Sequence, residues 1–222
     1  MTSNERVILL VGSPKGLDES NSARVGQVVA GELEAMGWHC DTFRLATVVQ
    51  DEGAMIELVK AVDLSDLVIV STPLYVDSLP APVIQALHQI VEARRDAQSV
   101  TVPRFFSIVN CGFVEPWQNQ SAQHMLQQFC SEARLEWVGA LSMGAAGAMN
   151  RHIRRAFRLV VEALHEEIII PEEVQQLTRY RIMPAWLYVF GGNVMWRKIA
   201  KQNGALPNVK AQPYGRDSLP TG

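Results

Sequence analysis

The stretch Val7-Ile8-Leu9-Leu10-Val11-Gly12-Ser13-Pro14-Lys15-Gly16 decides how this chain folds. Its consecutive apolar residues predict a strand buried on both faces, and the run stops at a loop of small and hydroxyl-bearing residues. Ser20-Asn21-Ser22 then leads into an amphipathic stretch that predicts a helix. A buried strand that opens through such a loop into a helix N-terminus directs backbone N–H groups and the helix dipole at one point. We therefore predict an anion site in this loop.

The rest of the chain repeats the alternation of strand and helix. Strands joined through helices of this length form right-handed βαβ units and a parallel sheet. The predicted strands cover 6–11, 39–45, 67–71, 104–110 and 137–142, and the predicted helices cover 22–36, 52–62, 80–94, 120–132 and 150–166. This pattern favours an α/β fold of the flavodoxin-like, doubly wound type, with helices on both faces of a five-stranded parallel sheet.

A ligand of such a fold binds outside the carboxyl ends of the strands, where the strand order reverses. The loops that follow strands one, three and four meet there. We call 12–22 the first loop, 73–80 the second loop and 110–116 the third loop. Three such loops at one sheet edge point to a phosphorylated, planar cofactor.

The first loop offers donors for a terminal phosphate. Ser13, Ser20 and Ser22 provide hydroxyls, Asn21 provides amide hydrogens, and loop N–H groups complete the shell. Lys15 either neutralises charge or stays solvated. The alternative is an ordinary strand-to-helix turn in which Ser20 or Ser22 caps the helix. The loop matches neither the Walker pattern nor G-x-G-x-x-G.

The second loop places Pro73, Leu74, Tyr75, Val76 and Asp77 directly after a buried strand. Exposed apolar groups are costly there unless something flat covers them, and the loop prolines limit the entropy lost on binding. We predict that this loop packs on a ring system. The alternative is that its large side chains fold back on the core.

The third loop contains Asn110, Cys111, Gly112 and Phe113. Gly112 lets a ligand approach the backbone closely, and neighbouring N–H groups are placed to face a ring carbonyl. A lone cysteine at a strand end is more often a small hydrophobe than a nucleophile, so we expect no catalytic role for Cys111. The small residues of 143–147 fit a site wall and a plain turn equally well.

The bulk composition excludes several classes of protein. The chain has 222 residues, 20 Lys+Arg, 23 Asp+Glu and a net charge of −3, which gives no sign of nucleic-acid binding. Its 3 cysteines are widely spaced, so we expect no disulfide framework and a reducing compartment. No metal-ligand spacing occurs, and we predict no metal site. No secretory signal and no apolar run of about 20 residues is present, which predicts a cytoplasmic protein without a membrane span.

Residues 168–222 differ from the predicted cofactor-binding domain at 1–167. They carry 7 Lys+Arg against 3 Asp+Glu, and they contain Trp186, Tyr188, Phe190 and Trp196. We predict helices at 172–180 and 184–203, with the second bent or broken at Gly191-Gly192. An extension of this kind has no core of its own, so it packs on the main domain or on a second subunit, with a peripheral membrane contact as a third alternative. Its aromatic residues suit an interface, which favours a homodimer or higher homo-oligomer.

The three loops resemble those of the flavodoxin-like NAD(P)H-dependent FMN reductases and related flavoprotein oxidoreductases. The resemblance covers roughly residues 5–165. The matching motifs are Gly12-Ser13-Pro14-Lys15 with Ser20-Asn21-Ser22, Pro73-Leu74-Tyr75 with Leu79-Pro80, and Asn110-Cys111-Gly112-Phe113. It implies that the first loop holds the FMN phosphate, that the second packs on the isoalloxazine, and that the third holds the polar edge of the ring. Iron–sulfur members carry a close cysteine cluster that is missing here, so we expect no such cluster.

The resemblance implies an oxidoreductase that passes hydride from NADH or NADPH through FMN to a small acceptor such as a quinone, a nitro compound or a flavin. The flavin carries this chemistry, so we predict no catalytic side chain. One alternative is an FMN-binding electron-transfer protein without its own NAD(P)H activity, and another is a non-flavin protein on the same fold. Flavodoxin is strongly acidic and lacks a long extension, which favours the enzyme.

Overall fold

A computed structural model describes residues 5–96, 101–181 and 183–211. At its centre is a five-stranded sheet in the order β2-β1-β3-β4-β5, and every pair of neighbours is parallel. The strands are β1 (Arg6–Val11), β2 (His39–Arg44), β3 (Leu67–Pro73), β4 (Arg104–Asn110) and β5 (Glu136–Met143). The order reverses between β1 and β3. The prediction of a flavodoxin-like, doubly wound sheet is therefore confirmed.

Helices cover both faces of this sheet. Val7, Leu9 and Val11 of β1 face one core together with α1, α6 and α7, while Ile8 and Leu10 face a second core with α2 to α5. The helices are α1 (Asn21–Ala35), α2 (Leu45–Val48), α3 (Glu52–Asp63), α4 (Ala81–Asp96), α5 (Gln120–Ala133), α6 (Arg151–His165), α7 (Glu172–Thr178) and α8 (Ala185–Gln202). No helix in the described ranges is long and apolar enough to cross a membrane.

The helix α8 differs from its prediction. It runs without a break through Gly191 and Gly192, so the expected break there is wrong. Two glycines cost a helix interior about 2 kcal/mol relative to alanine, and the alanine, leucine, methionine and lysine residues elsewhere in α8 add little further cost.

The chain divides into two compact units, Met1–Ile182 and Met183–Gly222. This boundary lies beyond residue 167, where we expected the main domain to end. Ile170 and Val174 are buried in the same core as α1 and α6, so the helix α7 belongs to the first unit. The second unit contains α8 and a short turn of 3-10 helix at Leu206–Asn208.

A glycine in β5 allows the segment after α6 to reach the sheet. Gly139 has φ +144°, and a Cβ atom there would lie 2.6 Å from Cβ of Ile170. The backbone N–H of Ile170 donates to the carbonyl oxygen of Val138 at 2.8 Å. The pairing of β4 with β5 also shifts register at this point. Gly139 therefore lets Ile170 pack directly against β5.

Candidate functional site

The three loops meet at the carboxyl ends of β1, β3 and β4. Val11 is paired with Ser71 in the sheet register, and Pro73 is paired with Asn110. The N–H of Gly12 donates to the carbonyl oxygen of Ser71 at 2.9 Å, and the N–H of Leu74 donates to that of Asn110 at 2.9 Å. The predicted loops thus meet at one edge of the sheet, where the strand order reverses, and we call the place where they meet the crevice.

In the first loop, the hydroxyls of Ser13 and Ser20 are buried and accept backbone hydrogen bonds. Ser20 caps α1, because its Oγ accepts from the N–H of Ala23 at 3.0 Å. Ser13 Oγ accepts from the N–H of Lys15 at 3.2 Å. A hydroxyl that accepts one hydrogen bond still has its O–H to donate, so capping and anion binding are compatible at Ser20. Lys15 and Asn21 are exposed.

Ser22 has a different role from the expected one. Its hydroxyl donates to Oδ1 of Asn110 at 2.7 Å, in a buried contact, instead of facing the loop. Ser71 Oγ in turn donates to the backbone oxygen of Ser22 at 2.7 Å. These bonds tie the start of α1 to the ends of β3 and β4. Because Oδ1 of Asn110 is engaged, the side-chain amide hydrogens of Asn110 are the groups it presents as donors.

Two glycines set the distance between the first loop, α1 and the sheet. A Cβ atom at Gly12 would lie 2.4 Å from Oγ1 of Thr72 and 2.6 Å from Cγ2 of Val83. A Cβ atom at Gly26 would lie 2.7 Å from Cδ1 of Leu9. All three distances are shorter than real Cβ contacts, so each position requires glycine for this close packing.

The side chains of the second loop that we expected to pack on a ring lie in two different environments. Leu74 is buried in the core, which is the alternative interpretation, whereas Tyr75 is 43% and Val76 98% exposed. Tyr75 and Ser78 exchange two backbone hydrogen bonds of 2.9 and 3.1 Å. Between them Val76 and Asp77 have φ of 50° and 58°, as in the two-residue turn of a hairpin. The turn therefore holds Tyr75 and Val76 out toward solvent beside the crevice.

We predict that Val76→Asn stabilises the protein by about 1 kcal/mol. A β-branched residue is strained at positive φ, whereas asparagine tolerates this region. Urea unfolding of the FMN-free protein measures the change. Val102→Asn is the matched control, since Val102 is also exposed but is not among the residues of positive φ. An equal gain at both positions would contradict the explanation by strain.

In the third loop, the thiol of Cys111 is buried. Its N–H donates to the carbonyl oxygen of Met143 at 3.0 Å, and its Sγ lies 3.6 Å from the carbonyl oxygens of Phe113 and Glu115. Burial raises the pKa of the Cys111 thiol, which favours the protonated form. Gly112 and Phe113 are exposed next to it.

Asn119 holds the crevice together and was missed in the sequence. Its Nδ2 donates to the carbonyl oxygens of Val109 and Met143, both at 3.0 Å, and the residue is fully buried. It therefore fixes the ends of β4 and β5 relative to each other. A single asparagine between Gln118 and a helix has no distinctive pattern, so no sequence signal would have found it.

The loop after β5 packs on the third loop. A Cβ atom at Gly144 would lie 2.8 Å from the carbonyl oxygen of Val114, so the small residue is needed for contact within the chain. The same loop is held from α1 by Arg24, whose guanidinium donates to the carbonyl oxygen of Gly147 at 3.0 Å. These contacts give the small residues at 143–147 a structural role.

A second group that the sequence did not indicate lies at the end of the third loop. Arg181 Nε is 2.8 Å from Oε1 of Glu115, and its guanidinium carbon lies 5.2 Å from the centre of the Trp117 ring. Glu115 is thus paired with a residue far away in the sequence. This contact joins the end of the third loop to the segment after α7.

The hydrogen-bond donors and the exposed apolar groups lie at different ends of this crevice. Buried hydroxyls and a helix N-terminus lie at the first loop, whereas Tyr75, Val76 and Phe113 are exposed at the second and third loops. This arrangement fits a molecule with a phosphate at one end and a flat, largely apolar ring at the other. A flavodoxin-like sheet with these groups at its edge is the arrangement expected of a flavin-binding oxidoreductase.

A comparison with protein families identifies the same class of protein. The sequence profile of the family described as NADPH-dependent FMN reductase matches residues 6–144. The chain belongs to this family, with FMN as its flavin and NAD(P)H as its reductant. No curated protein matches the sequence.

Several solved structures share the fold at low sequence identity. An apo NADH:FMN oxidoreductase is 13% identical over 83% of this chain and 99% of its own, with a TM-score of 0.62. An FMN-dependent NADH-azoreductase from Bacillus anthracis, in complex with FMN, is 12% identical over 73% and 99%, with a TM-score of 0.55. An NAD(P)H:quinone oxidoreductase from Methanothermobacter marburgensis is 14% identical over 72% and 94%, with a TM-score of 0.56. At sequence identities this low, the similarity shows a shared fold and nothing more.

Proposed function

We propose that this enzyme transfers a hydride from NADPH or NADH to FMN and passes the electrons to a small acceptor such as a quinone, a nitro compound or free flavin. The observation that carries the proposal is the crevice at the ends of β1, β3 and β4. Buried hydroxyl donors lie at one end of it and exposed apolar side chains at the other. Family membership supports the same reaction class.

The first loop would hold the phosphate. Ser13 and Ser20 would donate their hydroxyl hydrogens, and the N–H groups of Asn21 and Ser22 have no acceptor inside their own helix, since they lie in its first turn. The positive end of the α1 dipole adds to the attraction for an anion. Lys15 would contribute charge from the rim. The Ser22 side chain would act indirectly, by orienting Asn110.

The second and third loops would hold the ring. Tyr75 and Val76 are presented by a turn that a hydrogen bond from Ser121 Oγ to the Asp77 oxygen, 2.7 Å long, fastens to α5. We assign to Pro73, Leu74 and Asp77 the support of this turn. Asn110, Cys111, Gly112 and Phe113 would border the polar edge of the ring, with the Asn110 amide as a donor.

When bound, FMN supplies the hydride and electron-transfer chemistry. The chain's own residues bind, orient and exclude water. Donors at the ring edge, such as the Asn110 amide, favour negative charge that develops there. No side chain needs to act as a general acid or base, in agreement with a Cys111 thiol that burial keeps protonated.

Anaerobic mixing of the FMN-loaded protein with NADPH or NADH tests this proposal. We expect the flavin absorbance to disappear with at least one nucleotide and to return when an acceptor is added, whereas NADP⁺ should leave it unchanged. Flavin that is reduced by dithionite but by neither nucleotide would favour the alternative of an electron-transfer protein. A folded protein that binds no FMN would contradict both.

We also propose a homodimer or higher homo-oligomer located in the cytoplasm. Tyr75 and Phe113 are exposed at the crevice, and a second subunit would cover apolar surface there. Light scattering on the full chain measures the mass. A monomer at all concentrations would contradict the oligomer.

A further inference from the structure

The second unit exposes an unusual amount of apolar surface. No residue of α8 is buried. Trp186 is 71% exposed, and Phe190 and Trp196 are each 64% exposed. Buried aromatic side chains contribute more to stability than most other residues, so a helix that leaves this many in water has a surface that is incomplete without a partner.

The charged residues of this unit that the structure describes, within 183–211, are all basic. Residues 183–211 contain no acidic residue and four basic ones: Arg197, Lys198, Lys201 and Lys210. The first unit has the opposite balance, with 15 Lys+Arg against 22 Asp+Glu. A helix with only basic charges is complementary to a surface with only negative charges.

Two aromatic residues of α8 share one side of the helix with its three basic residues. At about 100° per residue, Trp186, Phe190, Arg197 and Lys201 fall within about 60° of one another. Leu187, Val194 and Lys198 extend the same side to about 120°. The aromatic residues lie in the N-terminal half of this side and the basic residues in the C-terminal half. Long Lys and Arg side chains can keep their charges at a polar boundary while their stems cover apolar surface.

We propose that α8 binds the surface of membranes that contain anionic lipids. Trp186 and Phe190 would enter the boundary between headgroups and acyl chains, and Arg197, Lys198 and Lys201 would contact lipid phosphates. Aromatic residues together with Lys and Arg are the composition of helices that lie in this interface. The uncharged run 183–196 is too short to span a bilayer but long enough to lie in its surface.

A second copy of the chain is the competing occupant, and the charge favours the lipid surface. The described charges are uniformly basic through residues 183–211, and the surface of a membrane that contains anionic lipids is uniformly negative.

Sedimentation with lipid vesicles tests the proposal on the FMN-loaded full chain. We expect binding to phosphatidylcholine vesicles that contain phosphatidylglycerol to be at least tenfold stronger than to phosphatidylcholine alone, and to weaken in high salt. The triple variant Arg197→Gln, Lys198→Gln, Lys201→Gln should lose about 100-fold in partitioning, at about fivefold for each charge. Trp186→Ser with Phe190→Ser should also lose at least tenfold.

The matched control is Ile56→Ser with Lys60→Gln on α3, which removes one exposed apolar and one basic side chain from the first unit. It should bind vesicles like the unchanged protein. Circular dichroism and FMN content confirm that each variant is folded. Binding that does not depend on phosphatidylglycerol or that survives both α8 variants would overturn the proposal. It would equally be overturned if vesicles bind no protein while Trp186→Ser with Phe190→Ser converts a dimer to a monomer.

Discussion

Gly12→Ala should lower the affinity for FMN about 100-fold, because a displaced donor loses a hydrogen bond to the charged phosphate, which contributes about 1.5–3 kcal/mol. The added methyl group would lie 2.4 Å from Oγ1 of Thr72 and 2.6 Å from Cγ2 of Val83. Thr72 and Val83 are fully buried, so neither can move away without disturbing β3 or α4. The first loop must then shift, and the donors of Ser13 move with it.

Gly31→Ala is the matched control, because a Cβ atom there would have nothing within 4 Å. Fluorescence titration with FMN gives the dissociation constant of both variants, and urea unfolding separates a local shift from a loss of fold. A titration with riboflavin adds a second comparison: its affinity should fall less at Gly12→Ala if the displaced group is the phosphate site. FMN affinity unchanged in folded Gly12→Ala would show that the first loop does not bind the phosphate.

Arg94→Leu should lower the free energy of unfolding by about 3 kcal/mol. Arg94 lies near the end of α4 and is 2% exposed. Its Nε donates to the carbonyl oxygen of Ala133 at 2.7 Å, and its guanidinium pairs with Asp63. Leucine would leave a buried carbonyl without a donor and a carboxylate without its cation. Asp63 is 32% exposed, so water compensates part of the loss and the effect lies at the lower end of the range for buried ion pairs.

The neighbouring Arg95→Leu provides the control. Arg95 is 61% exposed and pairs with Glu92 on the same helix at 2.9 Å, an arrangement that contributes only a few tenths of a kcal/mol. Urea unfolding of the two variants compares a buried with an exposed arginine in the same helical turn. A similar loss of stability in both would mean that the contacts of Arg94 with α3 and α5 contribute little.

Arg94 also illustrates what the sequence does not contain. Arg94-Arg95-Asp96 has the composition of a solvated helix end, and only the packing of α3 and α5 makes the first arginine a buried one. Ser22 is a similar case, because its partner Asn110 lies 88 positions away. Contacts of this kind depend on how the helices and strands pack together. The local order of residues in the sequence does not predict them.

The sheet and the position of the site could be predicted because they follow from local patterns in the sequence. Continuous apolar runs such as Leu67–Val70 specify strands buried on both faces, and parallel connections bring the ends of β1, β3 and β4 to one edge. The orientation of side chains inside a loop does not follow a repeating pattern of residues, so it could not be predicted in this way. Leu74 and Tyr75 therefore looked equivalent in the sequence, although one is in the core and the other is exposed.

The residues packed against β5 have a consequence for aggregation. An open sheet ends in two strands whose outer backbone groups can pair with another chain. Ile170 and α7 occupy the β5 side. On the β2 side His39, Asp41 and Arg44 place charged or polar side chains along the strand, which disfavours the approach of a foreign strand. Both edge strands are thereby protected against cross-β assembly. Packed residues cover β5, and charged or polar side chains line β2.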